Sequence, residues 1–181
     1  MSEIEAVLDF WFSPAAAPKW FVKDPDFDAE MARVLGPLLE RARVGAFGHW
    51  PATARGALAL VLLFDQAPRN LFRNSPEAFA LDTRARALTK QAVAAGLNRG
   101  LAQEQRLFLY MPLQHSETLA DQQRSVALFG QLDEDPEWLV YAERHLEIVQ
   151  RFGRFPHRNA ALGRATTAEE AEFLTEPNSS F

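Results

Sequence analysis

Apolar residues return every three or four positions along almost the whole of this chain, and strict alternation is nearly absent. That period fits the turn of a helix and not the two-residue repeat of a strand, so the chain is expected to be all-α. Ile4, Val7, Leu8 and Trp11 mark one face of a first helix, with Ser2 and Glu5 as a capping box. A second is expected from Pro25, capped by Asp24, through Phe27, Met31, Leu35 and Leu39 towards Gly45, with Gly36 and Pro37 as a kink point. Thr53 to Asp65 is apolar on more than one side, the pattern of a buried central helix, and Pro68 is expected to stop it.

Ser75, Pro76 and Glu77 signal a fourth helix ending at Gly96, and a fifth is expected over Ala102 to Tyr110, stopped or bent by Pro112. Ser116 or Thr118 can cap a sixth through Leu119, Val126 and Phe129. Asp135, Pro136 and Glu137 open a seventh with Trp138, Leu139, Ala142, His145, Ile148, Val149 and Phe152 inward, and Thr167 with Glu170 cap a last one. Short connections force antiparallel packing, so about seven to nine helices are expected as stacked antiparallel hairpins. At 181 residues and 48% hydrophobic composition, one helical domain over residues 1–181 is the expectation.

With no cysteine, a disulfide framework, a thiolate nucleophile and a sulfur-ligated zinc are excluded. Histidine and carboxylates remain as metal ligands, but no HExxH, HxH or EF-hand spacing occurs, so no metal site is expected. The opening MSEIEAVLDFWF carries acids where a secretory leader carries bases, and the apolar run Ala57 to Phe64 is far shorter than the roughly 20 residues of a membrane span. A cytoplasmic chain without membrane association is therefore expected. A formal charge of -5 argues against nucleic acid as partner while leaving room for a local basic pocket that holds a small anion.

Three stretches crowd hydrogen-bonding side chains beside apolar anchors: FDQAPRNLFR, PLQHSE and RFGRFPHRN. In the first, Asp65 and Gln66 close the apolar helix and Arg69, Asn70 and Arg73 follow, so two guanidiniums can clamp a carboxylate or phosphate. Local pairing of Asp65 with Arg69 or Arg73 accounts for the same residues without a ligand. In the second, His115, Ser116 and Glu117 offer an imidazole and a carboxylate as a proton-transfer pair, or simply a helix start capped by Ser116. In the third, Gly153 is a natural helix stop and Phe152, Phe155 and Pro156 fix the turn, leaving Arg154, His157, Arg158 and Asn159 crowded together. Cations that close need an acidic partner, supplied by carboxylates such as Asp65 and Glu117 or by a bound anion. His145, on the apolar stripe of the seventh helix, reads as a hydrogen-bonded inward histidine.

The strings VLDFWF, LLFDQAPRNLFR, FLYMPLQHSE, RFGRFPHRN, GRATTAEEAEFL and the closing SSF, in that order, resemble a bacterial family known as the domain of unknown function 924 family. The family pattern has an aromatic where this chain has Ala67, so no role is carried over to that position. The resemblance implies a helical fold similar to a tetratricopeptide-like right-handed superhelix, and implies no activity. It extends to Asp65, Gln66, Arg69, Asn70, Arg73, His115, Ser116, Glu117, Arg154, His157, Arg158 and Asn159 as site residues. The leading expectation is a pocket binding a small phosphorylated or carboxylated metabolite, with Gln66, Arg69, Asn70, Arg73, Ser116, Arg154, Arg158 and Asn159 holding it. His115 or His157 would move a proton and Asp65 or Glu117 orient it, for hydrolysis or group transfer. The rival is a non-catalytic scaffold that binds a peptide and uses the polar strings to lock its helices. No cofactor is implied by either.

Overall fold

Every expected helix of this chain forms, and the described residues contain no strand. The structure is a computed structural model, and it describes residues 2–180; Phe181, the last residue of the SSF string, lies outside the described residues. The helices are α1 (Glu3–Trp11), α2 (Pro25–Arg43), α3 (Ala54–Val61), α4 (Ala67–Leu71), α5 (Asp82–Ala94), α6 (Gln103–Gln114), α7 (Leu119–Phe129), α8 (Glu137–Phe152) and α9 (Ala168–Phe173). The described chain divides into two compact units, residues 2–73 with 77–112 and residues 74–76 with 113–180.

The first unit is built on α3, whose residues from Gly56 to Val61 are all buried, as a helix apolar on every side requires. Ser2 and Asp24 cap α1 and α2, accepting from the backbone N–H groups of Glu5 and of Asp26 and Phe27. Trp11 is fully buried, meets Phe108 edge-on at 5.2 Å, and its carbonyl accepts the Trp20 indole N–H at 2.8 Å. Between Trp50 and α3 the backbones approach so closely that a Cβ on Gly56 would lie 2.1 Å from the Trp50 carbonyl oxygen. Only glycine fits there.

Pro68 does not stop the central helix. Leu62–Gln66 form a π turn in which the Ala67 N–H reaches back to the Leu62 carbonyl, and the chain continues directly into α4 with Pro68 in its first turn. In a regular helix the Pro68 ring would collide with the Phe64 carbonyl; the wider turn makes room for the ring. Pro112 likewise fails to end α6, which carries on to Gln114. The hydroxyl of Thr89 on α5 donates to the Leu109 carbonyl at 2.8 Å, next to the Phe108 carbonyl that Pro112 deprives of its helical donor. The Ser75-Pro76-Glu77 signal yields only a 3-10 turn, Pro76–Ala78, and α5 starts at Asp82, whose carboxylate sits in the first turn.

In the second unit α7 packs along α8, the two forming a hairpin across a seven-residue connection, 130–136. Ala142, His145, Ile148 and Val149 are the buried positions of α8. Gly153 ends that helix in the left-handed region, φ 68°, and its N–H returns to the Val149 carbonyl. Ile148, Val149, Phe155 and Phe173, with Phe152 against them, form a core that ties α8 to α9, which Thr167 and Glu170 open with a reciprocal capping box.

Candidate functional site

The candidate residues fall into two clusters, one in each unit. In the first unit the π turn sets Asp65 and Gln66 inward, Asp65 fully buried and Gln66 nearly so. The Gln66 amide donates to Asp65 Oδ2 at 2.7 Å and lies 3.3 Å from the Met111 sulfur. Arg69 forms a two-point pair with Asp82, at 2.9 and 3.0 Å, donates to the Asp65 carbonyl at 2.7 Å and comes within 3.3 Å of the Asp65 carboxylate. Arg73 forms a second two-point pair, with Asp28 of α2 at 2.9 and 3.0 Å, and Asn70 donates to the same carboxylate at 2.8 Å. Both guanidinium forks thus face carboxylates of the same unit, with α4 fastened to α2 and α5.

In the second unit two more forks are closed in the same way. Arg154 pairs with Glu170 at 2.6 and 2.8 Å, and Asn159 donates to Glu170 at 3.2 Å. Arg164 grips Glu117 at 2.7 and 3.0 Å and also reaches Asn159 Oδ1 and the Phe155 carbonyl. Glu117 further accepts the Phe155 N–H at 2.8 Å. Burial pushes the Glu117 carboxyl up, but the Arg164 and Phe155 hydrogen bonds and the charges of Arg164 and Arg158 outweigh it and hold it below its ordinary range. Glu170 is held to about 2, first by Arg154 and then by the Thr167 N–H.

Another basic group surrounds the Phe155 ring. Arg158, 6% exposed, lies 4.5 Å over that ring, with His145 at 5.5 Å and His157 at 5.6 Å. His115 stands 6.3 Å from His145, ring to ring. The turn that carries His115 is held carbonyl by carbonyl. The Gln122 amide donates to the Gln114 and Ser116 carbonyls, both at 2.6 Å, and Arg158 donates to the His115 carbonyl at 3.0 Å. The Ser116 hydroxyl donates to Asp121 at 2.9 Å and accepts from the Thr118 N–H. His145, with Nδ1 at 2.7 Å from the Tyr141 carbonyl and 3.1 Å from the Gln114 amide, is pushed well below the ordinary histidine range. Burial is the main cause, followed by the charge of His115. His115 and His157 are half-buried.

Two hollows of the first unit, about 240 and 390 Å³, are lined by other residues, among them Phe47, Phe64 and Arg84 in one and Asp9, Phe12 and Arg55 in the other. Among the described residues no group of three or more His, Cys, Asp or Glu is arranged to hold a metal ion. No described helix is long and apolar enough to cross a membrane.

Residues 7–178 match the family described as "Bacterial protein of unknown function (DUF924)". The chain belongs to this family. It is also similar to a protein of unknown function from Agrobacterium tumefaciens whose structure is solved, at 38% identity over 96% of this chain and 97% of that one, with a TM-score of 0.91. No curated protein matches it.

The DUF924 strings that stand out in the sequence are thus helix junctions. Within the first unit the structure gathers Asp65 and Gln66 with Arg69, and Asn70 with Arg73, around Asp82 and Asp28. Within the second it gathers His115, Ser116, Glu117, Arg154, His157, Arg158 and Asn159 around Phe155 and Glu170. Sequence reasoning passed over Asp28, Asp82, Gln122 and Arg164. Arg164 and Glu170 lie in the GRATTAEEAEFL string of the family resemblance, which was the available signal; for Asp28 and Asp82, acids in first helical turns, the sequence offers none beyond capping.

Proposed function

We propose that this DUF924 chain binds a small phosphorylated or carboxylated metabolite in its second unit, at His115, His157 and Arg158. The supporting observation is the buried Arg158 guanidinium lying over the Phe155 ring, with the half-buried His157 imidazole against the same ring and the His115 carbonyl accepting from Arg158. Cationic donors brought together out of bulk water favour an anion, and imidazoles add groups that titrate near neutrality. In this reading Arg69, Arg73 and Arg154, whose forks meet Asp82, Asp28 and Glu170, hold the helices together. Asp65, Gln66 and Asn70 belong to that framework, and Ser116, Glu117 and Asn159 orient the turns that carry the basic groups. If the ligand is turned over by hydrolysis or group transfer, His115 or His157 is the proton carrier. We propose a cytoplasmic location for the protein.

The test is a thermal-shift panel of sugar phosphates, nucleotides and organic acids. The expected result is a raised Tm with at least one anion, lost in Arg158→Lys and kept in Arg73→Lys. A panel with no shift overturns the reading. The second reading, a tetratricopeptide-like scaffold that binds a peptide, is favoured by the four closed arginine–carboxylate forks, since every one of them serves helix packing. It predicts a peptide partner and no anion response.

A further inference from the structure

We infer that the smaller hollow of the first unit, about 240 Å³, binds a small carboxylic acid with an aromatic or branched apolar body. Its walls come from the end of α2, from α3 and from α5, and the π turn adds Phe64. Turns of that kind recur at functional sites. Phe47, Leu60, Phe64 and Leu88 make the lining mostly apolar, so the body of the ligand is apolar too. The volume sets its size. An apolar cavity of about 150 Å³ holds a benzene ring, so this hollow admits a ring with a short side arm or a branched chain of similar bulk. It has no room for the full tail of a long fatty acid.

The charge of the wall selects the acid. α5 faces the hollow along one helical stripe, Arg84, Ala87, Leu88 and Gln91, at spacings of three and four. Arg84 gives two of its N–H groups to the last carbonyls of α2, those of Arg43 and Ala42, at 2.8 and 3.1 Å, and its guanidinium lies 4.3 Å over the Phe64 ring. A guanidinium carries five N–H groups, so donors remain for a ligand. Elsewhere in this unit the charges of Arg69 and Arg73 are met by Asp82 and Asp28. Among the described residues no carboxylate pairs with Arg84, and the lining of the hollow includes no acid. Fixed by α2 and backed by an aromatic face, this cation stands at an apolar wall without an anion of the fold to meet it, and the carboxylate of a ligand supplies one. The turn after α2 leaves the rim uncrowded: a Cβ on Gly45 would meet nothing within 4 Å, and one on Gly48 only the Gly45 carbonyl, at 3.6 Å.

Phenylacetate is the probe, with phenylacetamide as its neutral counterpart and benzylamine as the cation. Each is titrated into the full chain near neutral pH and followed by the methyl and aromatic resonances of the protein. The expected result is saturable movement of the Phe47, Phe64 and Leu88 signals and of the Trp50 indole, which stacks on Phe47 at 4.1 Å. Phenylacetate should bind about tenfold more tightly than phenylacetamide, the worth of a hydrogen bond between charged groups over a neutral one. Benzylamine should not bind. In Arg84→Gln the preference for acid over amide should vanish; an Arg84 that only ties α5 to α2 would lower Tm there and leave that ratio unchanged. Ala87→Leu, at an exposed helical position that accepts leucine, fills the hollow and should abolish binding of both phenyl compounds while the protein stays folded. Arg158→Lys, in the second unit, should change nothing.

Equal affinity for acid and amide, or benzylamine binding as tightly as phenylacetate, overturns the carboxylate class. Signals of Phe47, Phe64 and Leu88 that stay put while others move, or an Ala87→Leu variant that binds as before, overturn the location. No saturable shift at about 10 mM phenylacetate overturns the site. Phenylacetate binding lost in Arg158→Lys and kept in Arg84→Gln assigns the acid to the second unit and overturns the inference as well.

Discussion

Gly36, Gly56 and Gly153 respond to a methyl group in three ways, and each response is readable from local geometry. At Gly56 the added carbon meets the Trp50 carbonyl inside the core of the first unit, so Gly56→Ala is expected to lower stability by about 3 kcal/mol in urea unfolding. Gly36 lies within α2 with open space beside it, and Gly36→Ala should raise stability by up to about 1 kcal/mol through helix propensity. Gly153 also has room, but its positive φ makes Gly153→Ala cost about 1 kcal/mol. Of the three, Gly36 within the second helix and the Gly153 stop were legible in sequence; Gly56 was not, because the Trp50 carbonyl reaches it through a fold and not through a motif. The cations of the polar strings were equally legible from their crowding. Their acids were not: Asp82, Asp28 and Glu170 stand 13, 45 and 16 positions from Arg69, Arg73 and Arg154.

Helix positions followed the hydrophobic period faithfully, while helix ends at proline did not. Pro68 was read as a terminator and Pro112 as a stop or a bend, because a proline ring collides with the carbonyl four residues earlier in a regular helix; the chain absorbs the first in a π turn and the second two residues before α6 ends. What the π turn positions can be tested on α4. Arg69→Met leaves the buried Asp65 and the partly buried Asp82 without their guanidinium, and should cost about 3 kcal/mol in unfolding free energy. Arg73→Met, removing a pair with 31% and 21% of its side chains exposed, should cost about 1 kcal/mol. Equal losses from the two would show that the turn does not place Arg69 at a more buried pair.

Across the molecule, the acid response should be graded and should begin in the second unit. His145 is held neutral by burial, with its pKa below the ordinary 6.5, so the unfolded chain binds its proton first; stability is full above about pH 6.5 and declines as pH falls below it. Glu170 works lower down: its ionised form is favoured in the fold, so its contribution is present above pH 4.5 and is lost between there and about 2. Following the Phe155 and Phe173 resonances through an acid titration checks both, and signals unchanged down to pH 4 would contradict the first. The division into two units left no trace in composition, since its boundary at residues 112–113 falls inside α6 and not in a linker. The π turn matters to chain length as well. It amounts to one surplus residue slipped into an otherwise regular helix, which rotates everything downstream by about 100°. A sibling chain missing a single residue between 62 and 66 would keep its hydrophobic pattern up to that point, yet swing its Arg69 and Arg73 equivalents away from the acids they now grasp.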